Sequence, residues 1–414
     1  EIGSGLVGSE MCIRDRRKTE WSYTLIFLLL LACNNKNVQE QDLITVDVTI
    51  SYPKKILILQ DLFDIEYVSL ETSDEYITSG TPNDIEGDCL LISDAIRNNT
   101  GNIFLFGKDG KGIKKISRLG QGAEEYTINL GCIFDLKEKE LFVNNYVSRK
   151  IMVYDQDGNF KRSLNQKENF YYDKLENFNQ DYLLCHDGYL SLKDEVVATR
   201  NYFMLVSKKD GSIKEISIPY KKNIYPLVTA EAAEGEIIYC IYNSPQIPYQ
   251  DKGFLLMEAS SDTIYHYTSN QQLIPRIVRT PSIQDMETKI FLYPGVQTDR
   301  YCFMQTVENI FNAQKEVGFP VVELVYDRQK ETIYECEMYN NDFLKMEPMT
   351  MVYNFHDRLY FQNSKDVAFM KKLEAADLVE AYEDGKLKDG PLKEIASTLD
   401  EEDNPIIMIA KYKK

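Results

Sequence analysis

The sequence predicts an all-β protein, a six-bladed β-propeller of four-stranded antiparallel blades with short C-terminal helices. Three observations predict it. First, short runs rich in Tyr, Phe, Ile and Val recur along the chain and are bounded by turn residues, as strands are. Second, one hairpin pattern appears twice in succession: Ile103-Phe-Leu-Phe-Gly-Lys-Asp-Gly110 runs into Ile113-Lys-Lys-Ile, and Ile151-Met-Val-Tyr-Asp-Gln-Asp-Gly158 runs into Phe160-Lys-Arg-Ser-Leu. Third, the turn glycines Gly110, Gly158 and Gly211 stand 48 and 53 residues apart, the length of a propeller blade rather than of a helical repeat.

The N-terminus reads as an address rather than as fold. Residues 1–16 include Met11-Cys-Ile-Arg-Asp-Arg16, which resembles the translation of a transposon-end sequencing adapter, and they are set aside as an artefact. Residues 17–32 form a lipoprotein signal peptide, with Arg17-Lys18 before the apolar run Leu25 to Ala32, which is too short to span a bilayer comfortably. Leu30-Leu31-Ala32-Cys33 resembles the bacterial lipobox, which implies lipidation of Cys33. Residues 33–43 are a polar tether and residues 44–414 a single propeller domain.

Val46 to Ile50, Ile56 to Leu59 and Ile65 to Ser73 read as strands, with no helix signal among them, and Gly80-Thr-Pro-Asn-Asp84 reads as a turn. Blades are counted from about Asp88, and at fifty to sixty residues each the remaining chain holds six. Ile103 to Phe106 is apolar on both faces, as a strand sandwiched between sheets must be. Asn309 to Val317 is expected to be a surface helix. Val367 to Tyr382 shows helical spacing of Phe369, Leu373, Ala376, Val379 and Tyr382, and Pro391 opens a second helix through Leu399. Ile406 to Ala410 is a last strand, which residues 44 to 70 are expected to clasp.

Composition narrows the function classes. The 414 residues carry a net charge of −18 with a pI near 4.8, a field that repels phosphate backbones, so no nucleic-acid partner is expected. Trp21 is the only tryptophan, which removes the residue that marks quinone-cofactor propellers and sialidase repeats.

Several stretches resemble one family. Tyr52-Pro-Lys-Lys, Glu66-Tyr-Val-Ser-Leu-Glu-Thr72, Gly120-Gln-Gly-Ala-Glu-Glu-Tyr126 and Glu402-Asp-Asn-Pro405 are similar to motifs of the six-bladed β-propeller lipoproteins common in Bacteroidetes, relatives of the NHL-type propellers. Ala123 and Glu124 stand where that family usually has Pro and Gly. The resemblance implies an outer-membrane lipoprotein, with the periplasmic face favoured because Asn34-Asn-Lys-Asn lacks an acidic export cluster. It implies no particular ligand.

No catalytic or metal constellation emerges, and no cofactor is expected. Cys89, Cys132, Cys185, Cys240, Cys302 and Cys336 recur near the blade period without a Cys-x-x-Cys, and read as small buried hydrophobes at related blade positions. Cys185-His186-Asp187 suggests a nucleophile and base, but neighbouring strand residues point to opposite faces. Histidines 186, 266 and 356 could meet at the channel only through tertiary structure. Asp155-Gln-Asp-Gly158 is read as a hairpin turn rather than a calcium loop. Glu124, Glu125 and Tyr126 are candidate loop contacts. The expected function is a membrane-tethered, non-enzymatic binding or scaffolding module for a glycan, peptide or protein. The alternative is an envelope or polysaccharide hydrolase or lyase with its site at the central channel.

Overall fold

A computed structural model describes residues 43–94, 100–188, 200–231, 237–242, 247–250, 253–312, 315, 317–354 and 358–413. Cys33, the signal and tether segments and His356 lie outside these residues. The described chain is an all-β propeller of six blades. Blades 1 to 3 are plain four-stranded sheets: Thr81–Glu86, Cys89–Ser93, Ile103–Gly107 and Gly112–Ile116; then Asn129–Asp135, Glu140–Asn145, Lys150–Asp155 and Phe160–Asn165; then Tyr172–Asn177, Tyr182–Asp187, Phe203–Ser207 and Ile213–Ile216. Blade 4 runs from Tyr249–Gln250 to Leu273–Thr280, blade 5 from Ile290–Gln297 to Thr332–Asn340, and blade 6 combines Leu359–Phe361, Val367–Leu373 and Ile406–Tyr412 with Phe63–Ser69.

The middle strands of the blades are apolar on both faces because every blade is packed between two others. Leu90, Ile92, Phe104 and Phe106 pack toward blade 6, while their neighbours Leu91, Ile103 and Leu105 pack toward blade 2. Six such clusters fill the six blade interfaces. Alternation of period two, which elsewhere separates core from water, here separates one core from the next.

The chain start does more than close the ring. Phe63–Ser69 is the outer strand of blade 6 and pairs antiparallel with Ile406–Tyr412, which is the clasp. Ile44–Asp47 and Lys54–Ile58 instead add parallel fifth strands to the outer edges of blades 4 and 5, covering edges that would otherwise expose unpaired backbone. Lys55 anchors this belt: its ammonium lies 2.7 Å from the buried Asp327, which Arg300 also contacts at 3.0 Å. Although burial opposes it, this pair of cations holds the Asp327 carboxyl below the usual range.

Several expectations are corrected. Blade 1 begins at Thr81, so the Thr81 to Asp84 stretch is strand rather than turn. Leu59–Leu62 forms one helical turn where none was expected. Phe311–Asn312 and Val317–Gly318 form a small hairpin instead of a helix, held by Phe319 N–H to Ile310 O at 2.7 Å and by the Phe311–Phe319 ring pair at 5.6 Å. Val367–Leu373 is a strand paired on both sides, and the helix begins only at Ala375, running to Glu383. A second helix spans Pro391–Ala396.

Candidate functional site

The first strands of the blades face the ring axis. Those of blades 1, 2, 3 and 6 enclose a cavity of about 650 Å³. Asn83, Asn129, Asp173, Lys174 and Glu176 line it from these strands, with Arg358 just ahead of Leu359–Phe361. Asp84 lies beside it, near enough to act on Glu176. Lys174 Nζ sits 5.4 Å from the centre of the Tyr353 ring. The Asn363 amide donates to the Asn177 carbonyl, tying blade 6 to blade 3 across the ring.

Depth in the molecule governs the charges. Burial, then repulsion from Glu86, raises the Asp84 carboxyl to about 7, although it accepts from Ile85 N–H at 2.9 Å. Burial, then the Asp84 charge, raises Glu176 to about 8. Both keep some contact with water through the channel. The Asn129 carboxamide oxygen accepts from Gly131 N–H at 3.0 Å. This side chain, only 6% exposed, also hydrogen-bonds the Cys132 thiol.

His186 stands behind this wall. Its Nδ1 lies 2.6 Å from Asp173 Oδ1 and its ring 4.8 Å from that of Phe203. Burial works against its protonation, but the Asp173 carboxylate, with Glu258 and Asp187 behind it, outweighs burial and raises its pKa. The imidazole is 4% exposed, so Asp173 rather than His186 reaches the cavity. Cys185 points the other way, into the interface of blades 2 and 3, where burial pushes its thiol well up.

The residues singled out in the sequence stand elsewhere. Gly120 to Tyr126 is the passage from blade 1 to blade 2. Glu125 Oε2 accepts from Gly122 N–H at 2.8 Å, and a Cβ at Gly120 would lie 1.9 Å from the same carboxylate. Tyr126 is fully buried, donates to Gly101 O at 2.6 Å and packs edge-on against Tyr154 at 6.1 Å. Glu124 is exposed, and its backbone carbonyl accepts from Tyr154 OH at 2.9 Å. Cys132, Cys185, Cys302 and Cys336 are buried, but the six cysteines do not occupy related positions: Cys89, Cys185 and Cys302 lie on second strands, Cys132 on a first, Cys336 on a fourth and Cys240 outside the blades. No group of three or more His, Cys, Asp or Glu placed to hold a metal occurs among the described residues.

Asp84, Asp173 and Glu176 were not legible as site residues, because they come from two blades nearly ninety positions apart. Their strands gave no clear signal either: Thr81–Glu86 reads as a turn and Tyr172–Asn177 is too polar to show a strand pattern.

No curated protein matches the chain by sequence. Among solved structures it is similar to a protein described as exported from Bacteroides fragilis, at 16% identity and a TM-score of 0.57, over 90% of this chain and 99% of that one. It is also similar to a member of the DUF4221 family from Bacteroides vulgatus, at 10% identity and a TM-score of 0.43, over 86% and 99%. Catalytically inactive virginiamycin B lyase from Staphylococcus aureus aligns at 10% identity and a TM-score of 0.36, over 84% and 99%. At these identities the likeness is one of fold. A family model matches residues 43–411, and the chain therefore belongs to the family described as a domain of unknown function, DUF4934.

Proposed function

We propose that this chain is an exported, envelope-tethered propeller that binds a polar glycan or peptide ligand in its axial cavity, without transforming it. The observation that carries this reading is the convergence of Asp173, Lys174, Glu176, Arg358 and Asn129 on one cavity at the axis. Export and attachment at Cys33 are supported by the signal and lipobox pattern and by the likeness to a protein described as exported. The outer membrane, its periplasmic face favoured, is the expected site of attachment. Among the described residues no helix is long and apolar enough to cross a membrane.

Titration calorimetry of the purified protein against glycans and peptidoglycan fragments tests this. Binding is expected, and Asn129→Ala should weaken it about tenfold or more. Binding that ignores Asn129→Ala would move the site away from the axis.

A second reading has its own support. Glu176 raised to about 8 is mostly protonated at neutral pH, while Asp84 at about 7 is half ionised, the arrangement that supplies an acid and a base together. On that reading the cavity belongs to a hydrolase or lyase, and chromatography of the same incubations would reveal product that Glu176→Gln abolishes.

A further inference from the structure

We propose that the axial cavity is one end of a longer cleft and that this cleft takes an extended peptide rather than a sugar chain; this deepens the axial reading and rests on it. A second cavity, of about 1130 Å³, lies against blade 6. Thr81, Arg358 and Tyr360 line both cavities, so the two meet at a threshold made by these residues. The outer cavity alone exceeds the roughly 300–1,000 Å³ of ordinary small-molecule pockets, which suits a ligand with length.

Its walls are built rather than incidental. One is the segment 342–349 that follows blade 5, and the other is the helix Ala375–Glu383. Leu344 N–H donates to Lys386 O at 2.7 Å and Lys388 N–H to Asp342 O at 2.9 Å, which fixes the spacing between them. The lining names the ligand. Leu344, Met346, Pro348 and Leu373 give it aliphatic and thioether surface set among nine charged side chains of both signs, which suit the charged ends and mixed side chains of a peptide, and Phe343 and Tyr360 are the only aromatic side chains among its described lining. Sugar rings are held by stacking on aromatic faces, whereas aliphatic walls accept Leu, Val and Met side chains.

The test uses the full chain with three probes: a pool of unblocked aliphatic hexapeptides, a pool of chito-oligosaccharides, and a pool of dipeptides. Leu344 and Met346 are 61% and 44% exposed, so Leu344→Asp with Met346→Asp should leave folding intact, as circular-dichroism melting would verify. The hexapeptides should bind, and both the double variant and Asn129→Ala should weaken them about tenfold or more, while dipeptide binding should respond to Asn129→Ala alone. Hexapeptide binding indifferent to the double variant, or chito-oligosaccharide binding without hexapeptide binding, would overturn the peptide cleft. If that binding still needed Asn129, the axial reading would survive. If no probe bound, both would fall.

Discussion

Blades 1 to 3 and blades 4 to 6 build the same ring by different means. In the first half the turn between the third and fourth strands uses Gly110, Gly158 and Gly211, with φ of 78°, 80° and 76°. In the second half the matching turns place Gln271 and Glu331 at φ of 61° and 50°. The first half consists of bare four-stranded sheets. The second carries the belt strands, the small hairpin Phe311–Asn312 with Val317–Gly318, and the two C-terminal helices. The difference teaches that left-handed backbone belongs to the turn rather than to glycine, and that glycine is required only where a neighbour crowds the missing Cβ. It also separates tasks: three of the four blades that line the axial cavity belong to the plain half, while the groove lies mainly between blade 6 and additions to the elaborated half.

Gly110→Val should break the plain half hardest. A Cβ there would lie 1.9 Å from Ser69 O, on the strand that closes the ring, and Gly110 O accepts from Glu71 N–H at 2.8 Å. A loss of about 3 kcal/mol or more is expected in urea unfolding. A loss below about 1 kcal/mol would mean the closure is looser than described.

The Asp84→Asn, Glu176→Gln pair should have a smaller effect, dependent on pH. Both carboxyls have folded values, about 7 and about 8, above their unfolded ones. The folded state therefore keeps protons that the unfolded state releases as pH rises from ~4 to 8, and stability falls across that interval. The double variant should be about 1–2 kcal/mol more stable than the parent at pH 8, after allowing for channel water, and unchanged at pH 4. Equal melting temperatures at both pH values would show that these groups are not desolvated.

Gln271→Gly sharpens the comparison most finely. Relief of the left-handed backbone is offset by the freedom glycine gains in the unfolded chain, so a change of about 0.5 kcal/mol or less is expected by thermal melting. A large change of either sign would show a side-chain role for Gln271.

How far the sequence could be read depended on whether the deciding contact was local. The hairpins around Gly110 and Gly158 were legible because strand, turn and strand are adjacent and the turn chemistry is explicit. Val367–Leu373 misled because its apolar spacing fits a helix as well as a strand, and only pairing with both Leu359–Phe361 and Ile406–Tyr412 decides between them. Glu402-Asp-Asn-Pro405 was visible as a motif without its meaning. Asn404 donates to Glu71 O and Tyr76 O and accepts from Thr78 N–H, and Pro405 packs where a side chain on Gly80 would stand, so the motif stitches the last strand to the entry of blade 1.

The sequence by itself determined the all-β class, the blade period and the double-faced middle strands, because each follows from patterns within one or two hairpins, and the count of six followed from that period and the chain length. Tertiary structure alone decided where the chain start lies on blades 4, 5 and 6, and which polar groups meet at the axis. Asp84, Glu176 and Arg358 come from three blades, and a ring brings them together only when its last strand has found its first. No local pattern encodes a neighbour some 180 residues away.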